Sequence, residues 1–262
     1  MTVGPKIIAV VDRDNATVKL LDHSGKLLKS FSGKDQSSLV KPFDAAFLPN
    51  GALVVTDSEA GKVLVFDWTG HFITELPGDF RHPRGITLDM KRQEIVFVDG
   101  LLQQIFVYDA NSCKPKRTVK PISTKDTQGP RNILVDPCYI AVSPSGNYIV
   151  ADIVSPHVKI VTSCEGQTGD IQGEQLLLAE TMDYGAREEE ALRPGGVVTD
   201  KYGQILVVDV MNGRVHRALP NGRVVGVVES DGLRNPLCLG LDAGGRLLVA
   251  QAGGAIHVLK YV

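Results

Sequence analysis

An internal repeat constrains the fold of this chain more than any other feature. A short apolar run ends in an acidic residue, and a polar gap, a second apolar run and a glycine turn follow, as in Leu53–Asp57, Val63–Asp67 and Gly70. The residues that end the first run, here called the anchors, are Asp12, Asp57, Asp99, Asp152, Asp209 and Gln251. They recur at intervals of 42 to 57 residues. Such a period indicates a solenoid or a propeller, in which each repeat is one supersecondary unit.

A second phrase comes before each copy after the first and completes the repeat. It is a proline followed by small or apolar residues, as in Pro42–Phe47 and Pro83–Leu88. Each unit then holds about four short strands rich in Val, Ile and Leu, broken by Gly, Asn and Ser turns. A four-stranded sheet repeated about every 40–50 residues is typical of a propeller blade. The sequence therefore predicts an all-β, six-bladed β-propeller of four-stranded antiparallel blades. A β-sandwich has no reason to repeat in this way.

The two ends of the chain bear on how the blades are completed. The first copy lacks its proline-led strand, and the sixth lacks an outer strand after Val258. Because open sheet edges promote association, we expect one blade to be completed by pairing the two termini. We expect residues 1–262 to form a single domain, the C-terminal fragment of a longer protein. Only Met182–Leu192 is a candidate for a short helical turn.

Composition excludes several classes of function. The net charge of −2 argues against nucleic-acid binding over the whole surface, so any such binding must come from a local patch. No apolar run approaches the roughly 20 residues of a membrane span, so we expect no membrane contact. The four cysteines lie far apart, without zinc-ligand spacing, and indicate free thiols in a reducing, cytoplasmic compartment: Cys113, Cys138, Cys164 and Cys238.

The repeated units resemble NHL repeats, in which a proline-led strand is followed by G-x-x-V-V-x-D and then V-x-V-F-D with a glycine turn. Residues 42–76 and 83–109 match this pattern best, and in the sixth unit Gln251 replaces the acidic residue. The resemblance implies a propeller like those that end tripartite-motif ubiquitin ligases. In that family the propeller recruits protein substrates or binds RNA, and an N-terminal RING performs the ligase chemistry. This chain has no RING cysteine pattern, so the resemblance implies a non-catalytic recognition module.

The repeated acidic anchors invite a catalytic or metal-binding interpretation, but a structural one is favoured. An aspartate at the end of a strand accepts backbone N–H bonds from the turn that follows, and it recurs because the turn recurs. Six-bladed propellers also include calcium-dependent hydrolases, whose ion needs about 6–8 oxygen ligands. The predicted innermost strands offer only one carboxylate, Asp44, which we expect to pair with Arg84. The six histidines show no ligand spacing, so we predict no metal, cofactor or catalytic residue, and a metal-dependent hydrolase is the least favoured alternative.

Basic residues provide the signal for binding. The segment from Lys114 to Arg131, predicted as a linker between units three and four, holds six basic residues and one acidic residue, Asp126. A charge run is usually a solvated surface, but other basic residues fall on the same predicted face. Trp68 could anchor an interface, although packing between blades is favoured.

The candidate binding residues therefore lie on the face that carries the strand-four-to-strand-one loops. They are Arg81, His82, Arg84, Lys120, Lys125, Arg131, Tyr139, Arg193, Arg214 and Arg234. The arginines and lysines would supply charge, and Tyr139 and His82 would stack or donate hydrogen bonds. Such a surface could dock an acidic segment of a protein substrate or adaptor, which is the favoured function. Alternatively, it could bind phosphates and bases of single-stranded or structured RNA.

Overall fold

The computed structural model describes residues 1–123, 131–154, 157–162, 169–177, 193–228 and 232–261. Of Gln36, Ser123, Arg131, His157 and residues 169–177, only the backbone is described. Lys125 and the segment Met182–Leu192 lie outside the described residues.

The chain divides into two compact units, Met1–Val119 and Lys120–Val262. The first unit holds three sheets and a short 3-10 helix at Asp35–Ser37. Its first sheet contains β1 (Thr2–Val3), β2 (Ile8–Asp12), β3 (Thr17–Leu21) and β4 (Leu27–Phe31). The second contains β5 (Pro42–Phe47), β6 (Leu53–Asp57), β7 (Lys62–Phe66) and β8 (Phe72–Glu75). The third contains β9 (Pro83–Asp89), β10 (Glu94–Asp99), β11 (Gln104–Asp109) and β12 (Pro115–Ser123), which runs on into the second unit.

The second unit continues the same order of strands. The short β13 (Arg131–Asn132) pairs with the end of β12. The fourth blade contains β14 (Pro137–Val142), β15 (Tyr148–Asp152), β16 (His157–Val161) and β17 (Gly169–Leu177). The fifth contains β18 (Pro194–Thr199), β19 (Ile205–Asp209), β20 (Arg214–Ala218) and β21 (Val224–Val228). The sixth contains β22 (Pro236–Leu241), β23 (Leu247–Gln251) and β24 (Ile256–Leu259). The prediction of an all-β, six-bladed β-propeller is confirmed.

The second strand of each blade explains the apolar runs of the sequence. Every residue of β6, β10, β15 and β19 is buried, whereas the outer strands β4 and β8 are largely exposed. A strand with apolar packing on both faces requires a continuous apolar run rather than alternation. Within the first unit, for example, Val54 of β6 and Phe97 of β10 belong to one apolar cluster.

Three expectations from the sequence are corrected here. β1 pairs with β2 and supplies the strand that the first repeat seemed to lack. The basic segment after Lys114 is not a linker up to Ser123, because it forms strand β12. Trp68 does not pack between blades, since 66% of its surface is exposed.

Candidate functional site

The anchors form the hydrogen-bonded base of the candidate site. The carboxylate of Asp99, fully buried at the end of β10, accepts four backbone N–H bonds. Two come from the loop before β9, Arg81 at 2.8 Å and His82 at 2.9 Å, and two come from the following turn, Leu101 and Leu102 at 3.0 Å each. One side chain therefore fixes both loops at this end of the sheet. The structural interpretation of the repeated aspartates is confirmed for this blade.

The same bonding recurs in other blades. Asp57 accepts from the backbone N–H groups of Val40, Lys41 and Ala60, and Asp152 accepts from those of Val135, Asp136 and Val154. In the sixth blade the Gln251 side-chain oxygen accepts the Arg234 N–H at 2.8 Å. In these blades the innermost strand begins with a proline, and the residue two positions before that proline is held through its backbone N–H. Its side chain takes no part in this bond. We call this end of a sheet, where the innermost strand begins, its proline end.

The proline end of the third blade binds its own basic side chains. The Arg84 Nε donates to His82 Nδ1 at 3.1 Å, and the Arg84 carbonyl accepts from Thr56 Oγ1 at 2.6 Å. A Cβ on Gly100 would lie 2.9 Å from the Arg84 Cζ, so the guanidinium rests on the glycine backbone. Arg81 is exposed. Of the three predicted binding residues here, two are engaged within the blade.

Asp44 does not pair with Arg84 as expected. Its carboxylate accepts from the Met1 amine at 2.8 Å and from the Ile86 N–H at 3.3 Å. The single carboxylate of the predicted innermost strands thus has a structural role.

The second unit places two predicted arginines just before its innermost strands, as the third blade places Arg81. Arg193 and Arg234 precede β18 and β22, and both are exposed. The backbone of Arg193 is fixed by a bond from the Val210 N–H to its carbonyl at 3.0 Å. No side-chain partner is found for either guanidinium within the described part of this unit. Both residues lie at the surface of the described structure.

The remaining predicted residues either make contacts within the fold or lie on strands β12 and β13. Tyr139 is half-buried and packs against the apolar cluster that contains Ala141 and Val197. Arg214, half-buried, begins β20 opposite Asp209 and has interactions of its own. Lys120 is exposed on β12, and Arg131 is the first residue of β13, so these two lie on strands.

Part of the basic segment serves to hold the third blade together. Arg117 donates to both carboxylate oxygens of Glu94, at 2.8 and 2.6 Å, and Lys116 pairs with the same carboxylate at 2.8 Å. Burial raises the pKa of Glu94, but the hydrogen bonds from Arg117 and Lys116 outweigh burial and leave that pKa below its ordinary value of 4.5. Two of the six basic residues are thus engaged in a mostly buried ion pair.

A buried Asp–His pair in the fifth blade was not anticipated. His216 Nε2 lies 3.2 Å from Asp209 Oδ2, and Asn212 donates to the same oxygen at 2.8 Å. Burial raises the pKa of Asp209, but the hydrogen bonds from His216 and Asn212 leave it below its ordinary value. The side chains of Asp209 and His216 are nearly inaccessible, at 3% and 7% exposure, so the pair lies in the interior at the end of β19.

Exposed apolar side chains are the feature that sequence reasoning missed. Leu101, Val154 and Met211 each lie two residues after an anchor, and all three are more than half exposed. The equivalent positions in the other blades hold Asp14, Glu59 and Gly253. The repeat alone could have shown that these positions are equivalent, but it carries no signal of their exposure.

Among the described residues, no group of His, Cys, Asp and Glu could hold a metal ion. Cys113, Cys138 and Cys238 are free thiols. In that same part of the chain, no helix has the length and apolar character to cross a membrane.

Comparison with known proteins supports the fold. A family model described as a 6-bladed beta-propeller, DUF5128, matches residues 35–127. A streptogramin B lyase structure is 14% identical, with a TM-score of 0.68 over 98% of this chain and 92% of that one. Selenomethionine-substituted virginiamycin B lyase from Staphylococcus aureus is 13% identical, with a TM-score of 0.64 over 100% of this chain and 83% of that one. Hydrazine synthase from Kuenenia stuttgartiensis is 15% identical, with a TM-score of 0.63 over 100% and 94%.

These likenesses show the fold alone, because unrelated functions share propeller folds at such low identity. No curated protein matches the sequence. The resemblance to NHL repeats stays a prediction.

Proposed function

We propose that this chain is a non-catalytic recognition module that recruits a protein substrate or adaptor through the proline ends of its blades. The observation that carries the proposal is the pair of exposed arginines in the second unit, Arg193 and Arg234. Their backbones are fixed by hydrogen bonds, and their guanidinium groups have no partner among the described residues. A rigid backbone that presents free guanidinium groups lowers the ordering cost of binding carboxylates.

The resemblance to NHL repeats suggests the setting in which such a module would work. The propeller would hold the substrate of a tripartite-motif-type ubiquitin ligase, whose chemistry lies in another domain. We also propose a reducing, cytoplasmic location, which the three free thiols support.

Protein binding is favoured over RNA binding by the surroundings of the arginines. Tyr139, the aromatic residue expected to stack on bases, packs against the core of its own unit. Exposed apolar residues such as Met211 lie close by instead. Single-stranded RNA usually requires aromatic stacking surfaces beside the positive charge.

Affinity capture with the whole chain tests this proposal. The variant Arg193→Glu/Arg234→Glu should lose a captured partner that is retained after nuclease treatment. The control variant Lys201→Glu/Arg223→Glu makes the same change in net charge on exposed turns at the other ends of β18 and β20, and it should keep the partner. A partner retained equally by both variants contradicts the proposal. Loss of the partner on nuclease treatment would indicate RNA binding instead.

A further inference from the structure

The proline ends of the fifth and sixth blades come unusually close together. A Cβ on Gly196 would lie 2.5 Å from the Cys238 Cα, and one on Gly195 would lie 2.9 Å from the Leu237 carbonyl oxygen. The backbones of β18 and β22 are therefore in direct contact at their first residues. This contact brings Arg193, which precedes β18, next to the beginning of β22.

Met211 belongs to the same neighbourhood. Val210, the residue before Met211, donates its N–H to the Arg193 carbonyl at 3.0 Å. The Val210 Cγ2 would lie 2.9 Å from a Cβ on Gly195. In the sixth blade the Gln251 side chain and the Ala252 N–H hold Arg234 and Asn235 in place. Arg193, Met211, Arg234 and Leu237 thus lie at the adjoining proline ends of the fifth and sixth blades, and this set of residues is here called the Arg193–Arg234 cluster.

The cluster combines two cations with two exposed apolar side chains. Met211 is 66% exposed and Leu237 is 40% exposed. The anchor carboxylate of the fifth blade, Asp209, is buried and accepts hydrogen bonds from His216 and Asn212, and among the described residues no bond joins it to Arg193 or Arg234. The positive charge of the cluster is complementary to carboxylates, and Arg binds carboxylates in a bidentate manner. The apolar side chains would bury a neighbouring apolar residue of the same ligand.

We propose that the Arg193–Arg234 cluster binds an acidic peptide segment that carries apolar side chains beside its carboxylates. This inference rests on the proposed function and names the chemistry of the partner. Met and Leu side chains adapt to irregular apolar ligands, whereas they offer no flat surface on which a base would stack.

Fluorescence anisotropy with a labelled peptide of sequence GSEDLDEFGS tests the inference on the whole chain. Arg193→Gln/Arg234→Gln should weaken binding at least tenfold, and Met211→Ser at least threefold. The matched control Lys201→Gln/Arg223→Gln should bind as tightly as the unaltered chain. The urea midpoint of each variant verifies that it is folded.

Two further peptides test separately the apolar and the charged contributions to binding. The peptide GSEDSDESGS lacks the apolar side chains and GSQNLNQFGS lacks the charges, and both should bind at least fivefold more weakly than the parent peptide. The inference is overturned by equal affinity for the parent peptide and either probe, by absence of parent-peptide binding, or by tighter binding of a ten-nucleotide oligouridine. If the peptide does not bind while partner capture still depends on Arg193 and Arg234, only this inference fails and the proposed function stands.

Discussion

The third and sixth blades begin their innermost strands alike, but only in the third blade does a further arginine, Arg84, follow the proline. In both, the residue two positions before the proline is an arginine whose N–H bonds to the anchor at 2.8 Å. In the third blade the anchor is a buried aspartate with four backbone donors, and Arg84 donates to His82, whereas Arg81 is exposed as Arg234 is. In the sixth blade the anchor is Gln251, whose side chain accepts one backbone bond from the described residues. The anchor therefore fixes the backbone of the loop, while the side-chain partners decide whether an arginine can contact a ligand.

The largest expected effect comes from removing the anchors themselves. Asp99→Ala leaves four N–H groups without their acceptor and should lower the free energy of unfolding by about 3–5 kcal/mol. Gln251→Ala removes one acceptor and should cost about 1 kcal/mol. Urea denaturation of both variants measures the difference. Equal losses would mean that Asp99 and Gln251 contribute equally to the free energy of unfolding, which would contradict this prediction.

The next effect concerns the contact between the fifth and sixth blades. Gly196→Ala places a Cβ against the backbone of Cys238 and should cost about 1–3 kcal/mol, because backbone gives way less easily than a side chain. Gly226→Ala is the matched control, since the nearest atom to its Cβ would be the far end of Arg217 at 4.0 Å. That variant should unfold within about 0.5 kcal/mol of the unaltered chain. A Gly196→Ala protein of unchanged stability would show that the two strands can separate freely.

The pH dependence of stability tests the contribution of Glu94 to the third blade. The pKa of Glu94 is lowered on folding, so its contribution is present above about pH 4.5 and is lost as the pH falls through the folded pKa. We expect the unaltered chain to lose about 2 kcal/mol more than Glu94→Gln between pH 6 and pH 3. The control is Glu75→Gln, which removes an exposed pair with Lys62 and should reproduce the pH profile of the unaltered chain. Parallel profiles for Glu94→Gln and the unaltered chain would contradict the assignment.

The smallest effect separates the two kinds of arginine. Arg84→Ala removes the bond to His82 and the packing on Gly100, and it should cost about 1 kcal/mol. Arg193→Ala removes no described side-chain contact and should change the free energy of unfolding by less than about 0.5 kcal/mol. Thermal melts of the two variants make the measurement. An Arg193→Ala protein that is as destabilised as Arg84→Ala would place Arg193 in the fold rather than in a binding site.

Much of the fold was predictable because its signals are local. The anchors Asp57, Asp99 and Asp152 mark strand ends, and the structure shows each accepting the backbone bonds that the turn interpretation requires. The expectation for Trp68 was wrong because a single aromatic residue carries no signal about which face of a turn it occupies. The first strand was missed because two residues, Thr2 and Val3, are too few for any periodicity.

The candidate site was only partly predictable. Arg193 and Arg234 were among the predicted binding residues, but so were Tyr139 and Arg84, which the structure engages within the fold. Met211 and Leu237 were missed, because their exposure depends on how neighbouring blades meet. Sequence spacing identifies which end of a blade a residue occupies, and it leaves open which partner that residue finds there.

The order of strands within a blade and the positions of the anchors at strand ends were determined by the sequence itself, since each depends on residues close together in the chain. The tertiary structure decided that Arg117 pairs with Glu94, that Thr56 reaches the carbonyl of Arg84, and that Gly196 lies against Cys238. These contacts join residues far apart in the chain, and their side-chain geometry depends on how the sheets pack. The availability of an arginine to a ligand is therefore a property of the packed molecule.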